Sequence, residues 1–160
     1  MMAYPFEGYW KDVGTISSLW EANMDLLGEN PTLSLMDENW RIYSRPGAEA
    51  PQFVGANAEV FNSSITAGCE IYGTVRNSVL GPNVVVEDGA VVEDSVIMND
   101  VTVKSGAKIT YSILDANVTV GKGATVGESK DKTDEIAVIG ADVVVPAGKK
   151  IPAGAMISEM

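Results

Sequence analysis

Small and β-branched residues alternate with aliphatics in a pattern that repeats without a gap over the middle of the chain. Residues 78–94 read SVLGPNVVVEDGAVVED, residues 95–111 SVIMNDVTVKSGAKITY and residues 112–128 SILDANVTVGKGATVGE. Each unit pairs a small or β-branched residue with an aliphatic two positions later. In the first unit these are Ser78 with Leu80, Val84 with Val86, and Ala90 with Val92. Positions two apart on a strand share a face, so each pair marks one short strand with one buried face. A helix needs apolar spacings of three and four, which do not persist here. A fixed period of this kind is the mark of a solenoid. Three short strands per turn, joined by sharp corners, predict a triangular coil stacked into a parallel β-helix of hexapeptide repeats. Gly81, Gly89, Gly106, Gly121 and Gly123, with Asn83, Asn99, Asp115 and Asn117, supply the backbone freedom that corners need.

The pattern extends both ways. Upstream, Val54, Val60, Ile65 and Ile71 continue it, with Ala58, Ser63 and Cys69 in the small positions. YGTVRN (72–77) is expected to break the register. Downstream, the polar stretch GESKDKTDE (127–135) reads as a loop, after which Ile139, Val145, Ile151 and Ile157 resume the period. PAG at 146–148 and 152–154 stiffens the last corners. The solenoid is therefore expected over 51–160.

Residues 1–50 differ. They hold all three tryptophans and few β-branched residues. Thr15 is placed to cap a helix from Ile16 to about Leu27, with Gly28 as its stop and Pro31 beyond. Ile16, Leu19, Trp20, Met24 and Leu27 share a face, which reads as a core-facing stripe. WRIYSRPGAEAP (40–51) reads as an extended linker.

Charge and composition narrow the function. The formal net charge is −11, spread as eight acids and three bases in residues 1–50 and fourteen and eight in the remainder. That distribution argues against nucleic acid and against an anionic membrane surface as partners. The Glu–Asp pairs at 87–88 and 93–94 read as solvated corners. No run of about 20 apolar residues and no signal peptide is found. The single cysteine, Cys69, excludes an internal disulfide and fits a reducing cytoplasm. The chain has no histidine. It therefore lacks both the histidine base of hexapeptide acyltransferases and the three zinc ligands of γ-class carbonic anhydrases. We assign no catalytic residue.

FEGYWKDVGTISSLWEANMDLL (6–27) resembles the end of the catalytic domain of glucose-1-phosphate adenylyltransferases, and NWRIYS (39–44) followed by hexapeptides continues the resemblance in the same order. The resemblance implies a left-handed β-helix. It also implies that residues 1–50 are the end of a nucleotidyltransferase domain plus linker. That family's glycine-rich nucleotide loop and sugar-phosphate pocket have no counterpart here, so this chain is expected to be the C-terminal part of such an enzyme, inactive alone. The implied reaction joins ATP to glucose 1-phosphate, with Mg2+ neutralising charge on the phosphates. By resemblance Asp12 is one magnesium ligand; read from the residues alone, it holds the turn before the helix. The resemblance further implies a homo- or hetero-oligomer and control by phosphorylated metabolites. By resemblance Arg41 and Arg45 are the candidate effector-binding residues, because guanidinium groups suit phosphate; read from the residues alone, they are solvated linker arginines. Two alternatives are carried forward: another sugar-nucleotide pyrophosphorylase such as the GDP-mannose type, and a non-catalytic β-helical interaction module.

Overall fold

The computed structural model describes residues 1–35, 39 and 48–159. Arg41 and Arg45 lie outside the described residues. One helix, α1 (Ile16–Met24), precedes three six-stranded sheets. Sheet A takes Phe53–Val54, Glu70–Ile71, Val85–Val86, Thr102–Val103, Thr119–Val120 and Val144–Val145. Sheet B takes Glu59–Phe61, Thr74–Arg76, Val91–Glu93, Lys108–Thr110, Thr125–Val126 and Lys150–Ile151. Sheet C takes Ser64–Ile65, Val79–Leu80, Val96–Ile97, Ser112–Leu114, Ala137–Ile139 and Met156–Ile157. Consecutive strands in the chain fall in different sheets, and every pairing is parallel, as a wound coil requires.

The interior is three stacked columns. Leu80, Ile97, Leu114 and Ile139 pair in register along sheet C, Val86, Val103, Val120 and Val145 along sheet A, and Val92, Ile109, Val126 and Ile151 along sheet B. The period read from the sequence thus gives the register directly. All of these side chains are buried, with Ala90, Ala107 and Ala124 filling the space near the corners. Small residues are needed there because neighbouring sheets converge.

Serine, rather than alanine, occupies one corner for a specific reason. Ser78, Ser95 and Ser112 are fully buried. Each hydroxyl donates to the carbonyl two residues before it, namely Arg76, Glu93 and Thr110 at 2.7–2.8 Å. Ser78 and Ser95 each also accept the backbone N–H of the next serine up the stack: Ser95 N–H to Ser78 Oγ and Ser112 N–H to Ser95 Oγ, both 3.1 Å. The column therefore satisfies backbone groups that the strand ladders leave over.

The corners match the reading in part. Asn83, Asn117, Gly89, Gly106 and Gly123 adopt positive φ as expected. Asn99, Asp115, Gly81 and Gly121 do not, and the left-handed positions also include Asp100, Asp142, Asn77 and Asp94. Gly81 and Gly121 are required for a different reason: a Cβ on either would collide with the backbone of the next coil.

YGTVRN does not break the coil. Thr74–Arg76 is a full strand of sheet B, and Val75 is buried in the column below Val92. The irregularity is a shortened corner. Asn62 and Asn77, equivalent in adjacent coils, are 15 residues apart, whereas Asn77 and Asp94 are 17 apart. Gly73 makes the tight bend possible, since a Cβ there would strike the carbonyl oxygens of Glu87 and Ala90.

Thr15 caps α1 as expected, its hydroxyl accepting from Ser18 N–H at 3.1 Å while the Ser18 hydroxyl accepts from Thr15 N–H at 3.0 Å. The helix is one turn shorter than expected, with Asp25 as its C-cap, and Gly28 takes positive φ (97°) beyond it. Its apolar stripe lies on the outer face of sheet C. There Trp20, with Ile16, Leu19 and Met24, packs on Val96, Tyr111, Ile113, Ile136 and Val138.

Candidate functional site

Asp12 lies in the segment leading into α1 and is exposed. Its Oδ1 accepts the Gly14 N–H at 3.1 Å, which fixes the turn before the helix cap. Among the described residues, no three acidic, histidine or cysteine side chains come together to hold a metal ion. Asp12 therefore presents one hard oxygen ligand and nothing more. That fits a magnesium ion otherwise held by water and substrate phosphates, and it does not by itself make a metal centre.

The neighbouring Lys11 faces elsewhere. Its ammonium bonds Asp25 Oδ2 at 2.9 Å and lies 3.2 Å from Glu21 Oε2, while the Tyr9 hydroxyl donates to the same Asp25 oxygen at 2.9 Å. The Lys11 hydrogen bond, aided by that of Tyr9, holds the Asp25 carboxyl below the usual carboxylate value, and Asp25 raises Lys11 in return. The segment before the helix is thus tied to the helix C-terminus. Further upstream Tyr4, Phe6 and Trp10 are exposed, Trp10 at 77%.

Cys69 sits inside the coil as its small neighbours predict, and its thiol donates to the Gly81 carbonyl at 3.1 Å. Burial pushes the thiol up, which disfavours the thiolate that nucleophilic chemistry needs.

The repeat concealed one feature. Tyr111 occupies the left-handed corner position that Asn77 and Asp94 hold in the coils below, with φ 45°. Its ring meets Trp20 edge-on, centroids 5.0 Å apart at 88°. The loop after Val126 closes over the other side, with the Lys130 ammonium 4.5 Å from the Trp20 ring centroid. The signal was present in the sequence as an aromatic where the two preceding coils end in Asn77 and Asp94.

The family model described as "GlmU-like, C-terminal hexapeptide" matches residues 49–146. The chain belongs to this hexapeptide family. The family model "Nucleotidyl transferase" matches residues 1–29, the segment that carries Asp12 and α1. Among curated proteins, the chain is similar to proteins named glucose-1-phosphate adenylyltransferase. In Bacillus mycoides and in Bacillus cereus the identity is 58% over 92 residues, or 58% of this chain and 24% of the relative. In Bacillus thuringiensis it is 56% over the same shares. The matched region thus spans about a quarter of the length of these relatives. Among solved structures, the acetyltransferase domain of PglB from Neisseria gonorrhoeae aligns with a TM-score of 0.56 at 23% identity, covering 69% of this hexapeptide chain and 55% of that one. At that identity the likeness concerns the coil alone. The histidine that an acyl transfer of the kind excluded above would use is missing from this member of the hexapeptide family.

Proposed function

We propose that this chain is the C-terminal part of an enzyme that makes ADP-glucose and pyrophosphate from ATP and glucose 1-phosphate, in the cytoplasm and for glycogen synthesis. The observation that carries the reading is the 58% identity over 92 residues to proteins of that name. The match of residues 1–29 to the nucleotidyl transferase model supports it from the other end of the chain. In this reading Asp12 lends one carboxylate oxygen to Mg2+, and the ion offsets the charge that builds on the phosphates during transfer. The Asp12–Gly14 turn and the Thr15 cap hold that oxygen at the head of α1. The β-helix is the platform for assembly with further subunits and for control by a phosphorylated effector, in which Arg41 and Arg45 take part.

Among the described residues the chain offers a single candidate metal ligand, Asp12, and no glycine-rich loop of the nucleotide-binding kind. It is expected to make no ADP-glucose when supplied with ATP, glucose 1-phosphate and magnesium. The same assay on a protein carrying an upstream nucleotidyltransferase region should show turnover that falls at least a hundredfold on Asp12→Asn. Turnover by the short chain alone, or full activity of the Asp12→Asn protein, would overthrow the reading.

A further inference from the structure

The outer face of sheet B carries a lysine-lined groove that the nucleotidyltransferase reading does not use. Lys108 pairs in register with Thr125, and Thr125 with Lys150, so the two lysines flank one threonine along a column of the sheet. Strand spacing puts their backbones about 10 Å apart. The loop after Val126 then folds back to form a wall. Gly127, at φ 74°, lets it do so, because any Cβ there would collide with the Thr110 carbonyl and the Ser112 hydroxyl. The result is a groove of about 300 Å3 lined by Lys108, Thr110, Thr125, Gly127, Glu128, Ser129 and Lys132. It adjoins a second hollow that shares Thr125 and adds Lys150.

Two observations bear on what this groove can hold. First, none of Lys108, Lys132 and Lys150 has an ion-pair partner among the described residues, although the chain carries twice as many acids as bases. Elsewhere on the coil Lys104 and Arg76 are paired, with Glu87 and Glu59, whereas Lys122 and Lys149 have no ion pair among the described residues. Second, Thr110 is only 4% exposed, yet its hydroxyl has no hydrogen-bond partner among the described residues. Among the described residues no side-chain oxygen is sealed from solvent without a partner, and Thr110 is one of the residues that line the groove. A nearly buried hydroxyl without a partner, in a groove lined by lysines without ion pairs, is what a tetrahedral oxyanion would satisfy. The acids close by are Glu128, which lines the groove, Asp131, next to Lys132 in the loop, and Glu93, which pairs in register with Thr110 on one side and with Arg76 on the other.

We propose that this groove binds a phosphate group, Lys108 and Lys132 supplying charge and the hydroxyls of Thr110, Thr125 and Ser129 donating to its oxygens. The site is independent of the nucleotidyltransferase reading and needs only the coil and its loop. The test is calorimetric titration of the purified chain with inorganic phosphate and pyrophosphate at low ionic strength. Amide shifts at Thr110, Thr125 and Ser129 would locate the site. Saturable binding is expected, with pyrophosphate the tighter of the two. Affinity should fall at least tenfold in the Lys108→Gln, Lys132→Gln double variant and severalfold in Thr110→Val, but hold in Lys149→Gln, whose lysine does not line the groove. Both substituted lysines are exposed, and a melting curve checks that the variants fold. Succinate is expected to bind at least tenfold more weakly than pyrophosphate. Absence of saturable binding, binding that survives the double variant, or equal affinity for succinate would each overturn the proposal.

Discussion

The indole nitrogen of Trp20 donates a 2.7 Å hydrogen bond to the backbone carbonyl of Asp94, a residue 74 positions away in the corner beneath Tyr111. This bond and the edge-on Tyr111 ring hold α1 against sheet C. Replacing Trp20 by Phe keeps the ring and removes the donor, at a cost of about 1 kcal/mol. Trp20→Ala removes both, and about 3–5 kcal/mol of local stability. Hydrogen exchange should show the helix amides opening in Trp20→Ala while the coil amides stay protected. Loss of protection throughout the coil would show that the helix and the solenoid unfold together instead.

Removing the hydroxyl from Ser95 leaves the Ser112 N–H without its acceptor inside the corner. Ser95→Ala is expected to cost about 1–3 kcal/mol despite the small change in volume. Denaturant unfolding measures it. Ser63→Ala, at a partly exposed position of the same column, should cost less.

Ile97 is 1% exposed in the middle of the sheet C column. Ile97→Asp puts a carboxyl among aliphatics with no partner, at a cost on the order of 4 kcal/mol. Its carboxyl should titrate well above the normal range, so this variant is expected to be more stable at pH 5 than at pH 8. A pH-independent melting temperature would contradict the assigned register.

The contact between Lys11 and Asp25 has a pH signature. Asp25 is held below 3.8 in the folded chain, so its stabilisation is present above that value and is lost as pH falls through the lower folded value. Lys11 is raised above 10.5, so its share persists below that pH and is lost as pH rises through the higher value. Both side chains are half-buried at the surface, and the effect should be local. Amide shifts of residues 9–11 should move together below about pH 4 in the parent and not in Asp25→Asn.

The coil was legible because its core obeys one rule: an aliphatic facing inward two residues after a small one. Leu80, Ile97 and Leu114 follow it, and the register came with the spacing. Two things were hidden. The strand at Thr74–Arg76 was read as a break because a deletion in the corner before it moved Val75 off the expected position. A period records strands only while the corners keep their length. The docking of α1 was hidden because Val96, Ile113 and Val138 point outward, and outward positions carry no periodic constraint. Asp12 became a candidate through resemblance; from its own contacts it is a turn residue. The lysine groove could not be read at all, since Lys108, Lys132 and Lys150 are brought together by the stacking of coils and the return of one loop.

The shortened bend at Gly73 bears on how such a chain can change over generations. Adjacent coils are joined through equivalent positions 15 residues apart at Asn62–Asn77, 17 at Asn83–Asp100 and 25 at Asn117–Asp142, yet the strands on either side stay in register. Loss or gain of residues is absorbed where the path turns, because inserting one residue within a strand would reverse every side chain after it. The bends are thus the places where this molecule can be lengthened or trimmed without rewinding the remainder. The excursion of 127–135, which built the lysine groove, shows how a new binding surface can arise without cost to the core.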